Sequence, residues 1–495
     1  MIYPLHVPSF KKSLLGITLF IFWLVLYLAG LRDYAGSKII FTIFSLVYLC
    51  LIYSGVYKLT SFSYLFLCIF LWLGFWFKLC ANFLWLGFFP YGEPIGNFDG
   101  APASWDIVLC VAIALGAGML VSHMALTITN IKLYKSVVWA RAPVWYPPYR
   151  GYIWAATFLL IVGVALLNTS LGIHQIGLTP RTILIWPGNA LISWFLNIGA
   201  SLLVAVFVCW DVSLGRKTNF LIIPVISEAF ISTISIISRA SFPFHVIPQI
   251  IALWNNEEIR SKLLRKNLFV IFIIFLLLFL GTIYSVSYLR DYHYQNSKSL
   301  PIVVLPNKAL KNSNVIEEKS SPVVQGSDKI TSSFRWILIH QLLVNRWIGL
   351  EGVMAVSSFR EKSYALLMQM FLEKRENGKV SMYQVVSNSG YQVRDVNYQF
   401  GSMPGMAGFL YYSGSMWLVF YISFGIGLIM VLSEKMILRI TKNPIFCSIY
   451  GLTLANTIAQ FGLAPINDLP MYIMIFVSAS VIYLIQLTSN DSDSM

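Results

Sequence analysis

Charged residues are scarce in this sequence. Asp, Glu, Lys and Arg make up only 11% of its 495 residues, whereas 57% are hydrophobic. A soluble globular protein carries about a quarter of its residues as charges and does not repeat apolar runs of about twenty residues. The composition therefore excludes a soluble fold and predicts an all-α polytopic membrane protein.

Motifs that hold metals, disulfides or nucleotides are also missing. The sequence has no HExxH motif, no CxxC pair and no GxxxxGK[ST] phosphate loop. Its six cysteines all lie in apolar runs, where they are expected to pack as small hydrophobic side chains. We therefore expect no cofactor, no metal site and chemistry that is independent of a metal ion.

Apolar runs long enough to cross about 30 Å of hydrocarbon predict about twelve transmembrane helices. The runs cover residues 13–31, 38–57, 61–89, 105–129, 152–168, 188–210, 219–238, 242–256, 267–288, 405–432, 445–463 and 470–488. The first run lacks a cleavable small-residue site and is expected to be an anchor that is not removed.

Lys and Arg are concentrated in the loops that this arrangement assigns to one side. Those loops hold sixteen basic residues, against four in the short loops of the other side. The positive-inside rule then predicts that both termini are cytoplasmic. The same distribution explains the net charge of +14, so we expect no nucleic-acid partner.

The predicted spans divide the chain into three parts. Residues 1–288 form an N-terminal transmembrane bundle of about nine spans, residues 289–404 a large periplasmic loop domain, and residues 405–495 a C-terminal segment of three spans. Apolar residues recur at helical spacing in the second half of the loop. We expect short helices there that lie on the outer membrane surface.

Glu228 lies within an apolar run, where burial of a carboxylate in the membrane costs free energy. Glu228, Ser232, Ser235 and Arg239 follow at i, i+4, i+7 and i+11, which predicts one face of one helix. In one interpretation, Arg239 receives an anionic group at the outer interface, because a guanidinium binds phosphate bidentately. In the alternative, Arg239 extends to lipid phosphates and Glu228 is protonated or hydrogen-bonded inside the bundle. His245, also near the outer surface, is either a site residue or a packing histidine.

The loop carries a second polar cluster in an otherwise apolar stretch, with Arg335, His340, Arg346 and Glu351. Arginines there can neutralise a lipid diphosphate, and His340 or Glu351 can deprotonate an incoming hydroxyl. The alternatives are that the arginines bind lipid headgroups and that His340 is structural.

Aromatic side chains alternate with amides and charges near residues 383–400, among them Tyr391, Arg394 and Tyr398. Sugar rings present apolar faces and a rim of hydroxyls, which suit aromatic rings beside planar hydrogen-bonding groups. This stretch is interpreted either as a sugar-binding surface or as an ordinary polar loop.

This pattern resembles the Wzy-type polymerases of bacterial O-antigen and related repeat-unit polysaccharides. The resemblance is carried by the many-span layout, the span ending ISIISRAS, the single large external loop with arginines and a histidine, and PGMAGFLYYSG at 404–414. It implies a metal-independent glycosyltransferase of the bacterial inner membrane. Such an enzyme moves a glycan from undecaprenyl diphosphate to a lipid-linked repeat unit at the periplasmic face, with a chain-length regulator as a further candidate partner.

Through this resemblance, Arg239 and Arg346 are the expected diphosphate-binding residues, and His340 or Glu351 the expected base. Three other functions share the composition. An O-antigen ligase uses the same donor, a lipid-linked oligosaccharide flippase also has about twelve spans, and a secondary transporter does too. A flippase needs no large external loop, and a transporter more often has its long loop at the middle of the chain.

Overall fold

The computed structural model describes residues 9–57, 61–129, 139–178, 180–216, 218–256, 259–260, 268–297, 340–373, 381–389, 403–462 and 469–490. Within these ranges every extended regular element is a helix. Several of the helices are long and apolar, so the chain is a helical membrane protein, as its composition predicts.

In chain order, the helices are α1 (Ser9–Asp33), α2 (Lys38–Tyr57), α3 (Phe62–Leu86), α4 (Pro102–Ile128), α5 (Tyr146–Leu171), α6 (Gly188–Ser213), α7 (Thr218–Ser235), α8 (Ser241–Trp254), α9 (Leu268–Ser297), α10 (Leu350–Ser358), α11 (Tyr364–Leu372), α12 (Met382–Val386), α13 (Gly405–Tyr411), α14 (Met416–Thr441), α15 (Pro444–Ala459) and α16 (Leu469–Asn490). Among the described residues, nine helices are long and apolar enough to cross a membrane: α1 to α6, α9, α14 and α16. The shorter apolar helices α7, α8 and α15 occupy the positions of the other three predicted spans.

Helix α3 is the centre of the bundle. In its most apolar 18-residue stretch, 78% of the residues are buried, against 11% in the corresponding stretch of α9, which lies at the periphery. α1, α2, α14 and α15 pack around α3, and α5 to α8 form a second group that joins the first where α8 meets α15. Outward-facing side chains on the peripheral helices are mostly apolar, as expected of a surface that faces lipid.

A buried carboxylate caps the start of α3. Glu434 of α14 accepts hydrogen bonds from the Ser61 hydroxyl at 2.5 Å and from the backbone N–H groups of Phe62 and Ser63 at 2.9 and 2.8 Å. The first N–H groups of a helix have no partner within the helix and carry partial positive charge. Glu434 therefore satisfies these groups and fixes α14 against α3.

A second buried carboxylate joins α5 to α6. Arg150 donates two hydrogen bonds to Asp211, at 2.7 and 2.6 Å, and the hydroxyl of Tyr146 and the indole N–H of Trp154 donate to the same carboxylate. A carboxylate removed from water keeps its charge when donors surround both oxygens in this way. Asp211 is thus a structural group.

The structure moves the tenth predicted span. The sequence places this span at 405–432, but the chain forms the short helix α13 first and α14 starts at Met416. The Ser415 side chain accepts a hydrogen bond from the backbone N–H of Leu418, which is the geometry of a helix N-cap. Hydropathy alone cannot detect this break, because α13 is as apolar as the span that follows.

The expectation that all loop helices lie on the membrane surface is wrong for α10. Its residues from Leu350 to Val356 are buried, and the helix packs between α4 and α13. A Cβ atom on Gly352 would lie 2.0 Å from the carbonyl oxygen of Pro404, so the glycine permits this close approach. In contrast, α11 exposes one apolar face, which suits a surface position.

Removing the Glu434 carboxylate should destabilise the protein. Glu434→Ala removes the buried carboxylate that accepts from the Ser61 hydroxyl and from the backbone N–H groups of Phe62 and Ser63, at an expected cost of about 2–4 kcal/mol. The measurement is the apparent melting temperature of the detergent-purified protein, with the exposed Glu361→Ala as control. An unchanged melting temperature for Glu434→Ala would contradict the capping role.

Candidate active site at the outer end of the bundle

Lys78 ties the long loop to the central helix. Here the outer end denotes the end of the bundle at which α3 ends and α4 begins. The Lys78 ammonium donates to the carbonyl oxygens of Asn345 and Trp347, at 3.0 Å each, and lies 2.5 Å from Oε1 of Glu351. Both side chains are buried, at 1% and 3% exposure. The three N–H bonds of the ammonium are matched by three partners on one short segment, which we call the anchored segment (residues 345–351).

Backbone contact reinforces this anchor. α3 contains a π turn at Leu73–Phe77, immediately before Lys78. A Cβ on Gly74 within that turn would lie 2.1 Å from the carbonyl oxygen of Ile348, and a Cβ on Gly349 would lie 2.3 Å from the carbonyl oxygen of Gly74. The anchored segment therefore lies directly on the backbone of α3, and glycine is needed on both sides.

Arg346 is exposed beside this anchor. It has no hydrogen-bond or ion-pair partner in the part of the chain that the structure describes. Nearby, crowding by protein atoms and repulsion from Glu351 raise the pKa of Glu93, and Lys78 and Arg346 partly offset this effect. Although the residue Glu93 has exposed surface, its carboxyl group lies close enough to the anchor to respond to these charges. The cluster thus contains two cations and two carboxyl groups.

His340 lies one and a half helical turns before Arg346. Its ring makes an edge contact with Trp85, with 5.2 Å between centroids. Partial burial lowers the pKa of His340, so its imidazole is neutral near pH 7. Nε2 is buried and has no hydrogen-bond partner among the described residues. A neutral imidazole with an unused nitrogen is equipped to accept a proton.

Arg239 lies at the outer end, but it is not on the helix face that the sequence predicts it to share with Glu228. α7 ends at Ser235, and Ile237 has a φ of 54°, so Arg239 falls in the turn between α7 and α8. The guanidinium of Arg290 donates to the carbonyl oxygen of Ile237 at 2.9 Å and stabilises this turn. Arg239 is partly exposed and donates to the hydroxyl of Ser287 at 3.5 Å.

Of the four residues predicted to share one helix face, only Glu228 and Ser232 contact each other along α7. Ser232 donates to Glu228 at 2.8 Å, whereas Ser235 points to α5, where it donates to the carbonyl oxygen of Ala165. Because the chain leaves the helix after Ser235, the i+11 position does not continue the same face. The prediction that Glu228 and Arg239 share one face of one helix is therefore wrong.

Glu228 and His245 form a buried pair inside the bundle. His245 Nδ1 lies 2.9 Å from Oε1 of Glu228, and His245 Nε2 lies 2.9 Å from the carbonyl oxygen of Asn197. A carbonyl oxygen only accepts, so Nε2 carries a hydrogen, and one further proton is shared between Nδ1 and the carboxylate. His245 is only 4% exposed, so the pair is a packed polar contact and does not lie open at the surface.

A row of aromatic rings runs between the two arginine-bearing segments. Trp347, next to Arg346, lies 6.0 Å from Phe70, and Phe70 lies 5.9 Å from Phe244, as measured between ring centroids. Phe244 belongs to the first turn of α8, which begins soon after Arg239. The two segments therefore border the same row of aromatic rings.

Four of the predicted site residues cannot be placed. Arg335, Tyr391, Arg394 and Tyr398 lie outside the described residues. Of the others, the structure brings His340, Arg346 and Glu351 to one segment, pairs Glu228 with His245, and leaves Arg239 in a separate turn. Within the described ranges, no group of three or more His, Cys, Asp or Glu residues is arranged to hold a metal ion.

Sequence reasoning missed Lys78, although a signal was present. Lys78 is the single charged residue in the predicted span 61–89, and an ionisable residue in such a span marks a functional or structural site. Glu93 was also missed, because a carboxylate in a short external loop is unremarkable in sequence. Comparison of the chain with protein-family models, curated proteins and solved structures finds no match.

The Lys78–Glu351 anchor is testable through its energetics. Lys78→Met should lower stability by about 3–5 kcal/mol, because it leaves a buried carboxylate without its counter-charge. The double variant Lys78→Met/Glu351→Leu should recover much of that loss. Melting temperatures of the single and double variants measure the coupling, and additive effects would contradict a buried pair.

Proposed function

We propose that the chain is a membrane glycosyltransferase that polymerises oligosaccharide repeat units linked to undecaprenyl diphosphate. The observation that carries this proposal is the anchored segment. It holds an exposed Arg346 and lies close to a neutral His340 at the outer end, on a rigid buried support. Rigid support of this kind is what a site for a charged lipid substrate needs.

In the proposal, Arg346 and Arg239 bind the diphosphate of the donor lipid. A guanidinium forms two parallel hydrogen bonds to phosphate oxygens and neutralises charge that develops on the leaving group. Arg239 and Arg346 border the same aromatic row, which supports one shared substrate. Glu351 is assigned a positioning role, because it is buried and paired with Lys78.

The proposed reaction is a balanced transfer of the glycan. His340 removes the proton from a hydroxyl of the acceptor repeat unit, and the hydroxyl oxygen forms a bond to the anomeric carbon of the donor glycan. The bond from that carbon to the diphosphate oxygen breaks, and undecaprenyl diphosphate leaves with the electron pair. No other reactant is required.

We further propose the setting of this reaction. All twelve predicted helices cross the bacterial inner membrane, both termini are cytoplasmic, and the outer end faces the periplasm. The distribution of Lys and Arg between the loops supports this orientation. The helices α7, α8 and α15 are short, but they are buried among longer neighbours. This burial supports the proposal that they also cross the membrane.

Lipid-linked oligosaccharide transport is the second candidate, because of the Glu228–His245 pair. An ionisable pair that shares a proton inside a bundle is typical of transport pathways. Oε1 of Glu228 and both ring nitrogens of His245 have partners within the protein, whereas Oε2 of Glu228 has none among the described residues. The polymerase remains preferred because the chain brings Arg346 and His340 to the anchored segment, which lies outside this pair.

The arginines provide the sharpest test of the proposed function. In a strain that lacks this gene, the surface polysaccharide should carry a single repeat unit instead of a ladder on a gel. The wild-type gene should restore the ladder, whereas Arg239→Ala and Arg346→Ala should reduce polymer formation about 100-fold or more. Lysine at either position should restore only part of the polymer formation, because an ammonium group cannot form the two parallel hydrogen bonds of a guanidinium.

Arg181→Ala is the matched control. Arg181 lies in the loop between α5 and α6, away from the segments that carry Arg239 and Arg346, and it donates to the carbonyl oxygen of Thr169. This variant should restore the ladder fully at equal expression. Full restoration by both Arg239→Ala and Arg346→Ala would overturn the assignment. Polymer that accumulates on the lipid carrier without reaching the core would indicate a ligase instead, and an unchanged ladder in the deletion strain would favour transport.

A further inference from the structure

A polar groove lies at the C-terminal end of α10, separate from the arginine-bearing segments. Its volume is about 580 Å³, which falls within the range of ligand sites. One wall is the loop before α4, and the other is the turn after α10. The lining residues are Asn97, Phe98, Asp99, Ser104, Ile107, Ser357, Ser358, Phe359, Arg360 and Glu361.

The walls of the groove are fixed by hydrogen bonds between them. The backbone N–H of Asn97 donates to the hydroxyl of Ser358 at 3.0 Å, and Asn388 donates to the side-chain oxygen of Asn97 at 2.8 Å. The ammonium of Lys362 donates to the carbonyl oxygen of Ser357 at 2.8 Å and holds the turn. The groove is therefore formed before a ligand arrives, which reduces the entropy cost of binding.

The groove carries charged groups of both signs. Asp99 and Glu361 contribute two carboxylates, and Arg360 contributes one cation. Hydrogen bonds from the Ala101 backbone and the Ser104 side chain lower the pKa of Asp99, so it is ionised at neutral pH. With the adjacent ammonium of Lys362, the two carboxylates are matched by two cations, and the groove offers both donors and acceptors to the hydroxyls of a ligand.

Two aromatic side chains complete the lining. Phe98 is held edge-on by Trp105, with 5.5 Å between the ring centroids, and both Phe98 and Phe359 are partly exposed. Partly exposed rings among carboxylates, an amide and hydroxyls match the apolar faces and hydroxyl rims of sugars. The lining thus favours an oligosaccharide over a lipid tail.

The groove and the anchor lie at opposite ends of one helix. Glu351 is near the start of α10 and Ser358 at its end, so a rise of about 1.5 Å per residue separates their backbones by about 10 Å. A short oligosaccharide spans such a distance. We propose that the groove binds sugars of the acceptor repeat unit, while its lipid diphosphate lies towards the arginines.

This inference rests on the proposed function for the identity of the sugar, but direct binding tests it without turnover. The probe is the free repeat-unit oligosaccharide, released by mild acid from the lipid fraction of the deletion strain, with the full-length protein in nanodiscs. Saturation-transfer NMR measures its binding. Ile107→Trp should fill the groove and weaken binding at least about ten-fold, and Glu361→Gln should weaken it measurably.

Val121→Trp is the matched control, because Val121 lies on the same helix α4 at 40% exposure, against 41% for Ile107, and is not part of the groove. It should bind the oligosaccharide as the wild type does. In the polymer assay, Ile107→Trp should raise the KM for the acceptor and change kcat less than about two-fold.

The outcomes separate the two proposals. If the wild-type protein binds the oligosaccharide and Ile107→Trp abolishes this binding, the groove is supported as a glycan site. This holds even if the wild-type protein forms no polymer, because the absence of polymer would contradict only the proposed polymerase function. The groove is overturned as a glycan site if Ile107→Trp and Glu361→Gln both bind the oligosaccharide as strongly as the wild-type protein does. It is also overturned if the wild-type protein does not bind the oligosaccharide. Loss of binding in Val121→Trp as well as in Ile107→Trp also overturns it, because the effect would not be local.

Discussion

The contact on which the outer end depends is the buried ion pair between Lys78 and Glu351. A lysine inside an apolar helix is tolerable only when its three N–H groups find partners, and here two carbonyl oxygens and one carboxylate supply them. All three partners belong to a single segment of the long loop. Satisfying one buried charge therefore determines where the loop enters the bundle and which residues next to it remain exposed.

The same rule governs the other buried carboxylates of the described bundle. Glu434 accepts hydrogen bonds from the start of α3, Asp211 accepts from Arg150, and Oε1 of Glu228 pairs with His245. In a membrane, a polar group without a partner costs more than in water, so each such group selects a specific neighbour. Arg346 has no such partner in the described part of the chain, so its guanidinium can interact with a ligand.

Hydropathy predicted the helical membrane class and most helix positions, because about twenty apolar residues suffice to specify a span. It failed at α13, which is as apolar as α14, and at α10, whose burial depends on the fit of Gly352 against Pro404. For the site, residue types suggested His340 and Arg346. Long-range pairs such as Lys78–Glu351 depend on which helices meet, and spacing along the chain does not encode that. The turn that displaces Arg239 from the predicted helix face depends likewise on Arg290, fifty residues further along.

The most direct measurement is a cross-link between α3 and the anchored segment. Asn82 donates to the side-chain oxygen of Asn345 at 3.0 Å, so cysteines at these two positions are within reach of a short bifunctional thiol reagent. In a background without the six native cysteines, Asn82→Cys/Asn345→Cys should cross-link efficiently in isolated membranes. A pair with its second cysteine moved to Tyr364, on the exposed face of α11, should not. Efficient cross-linking only in the Tyr364 pair, or in neither, would contradict a loop that is anchored at Lys78.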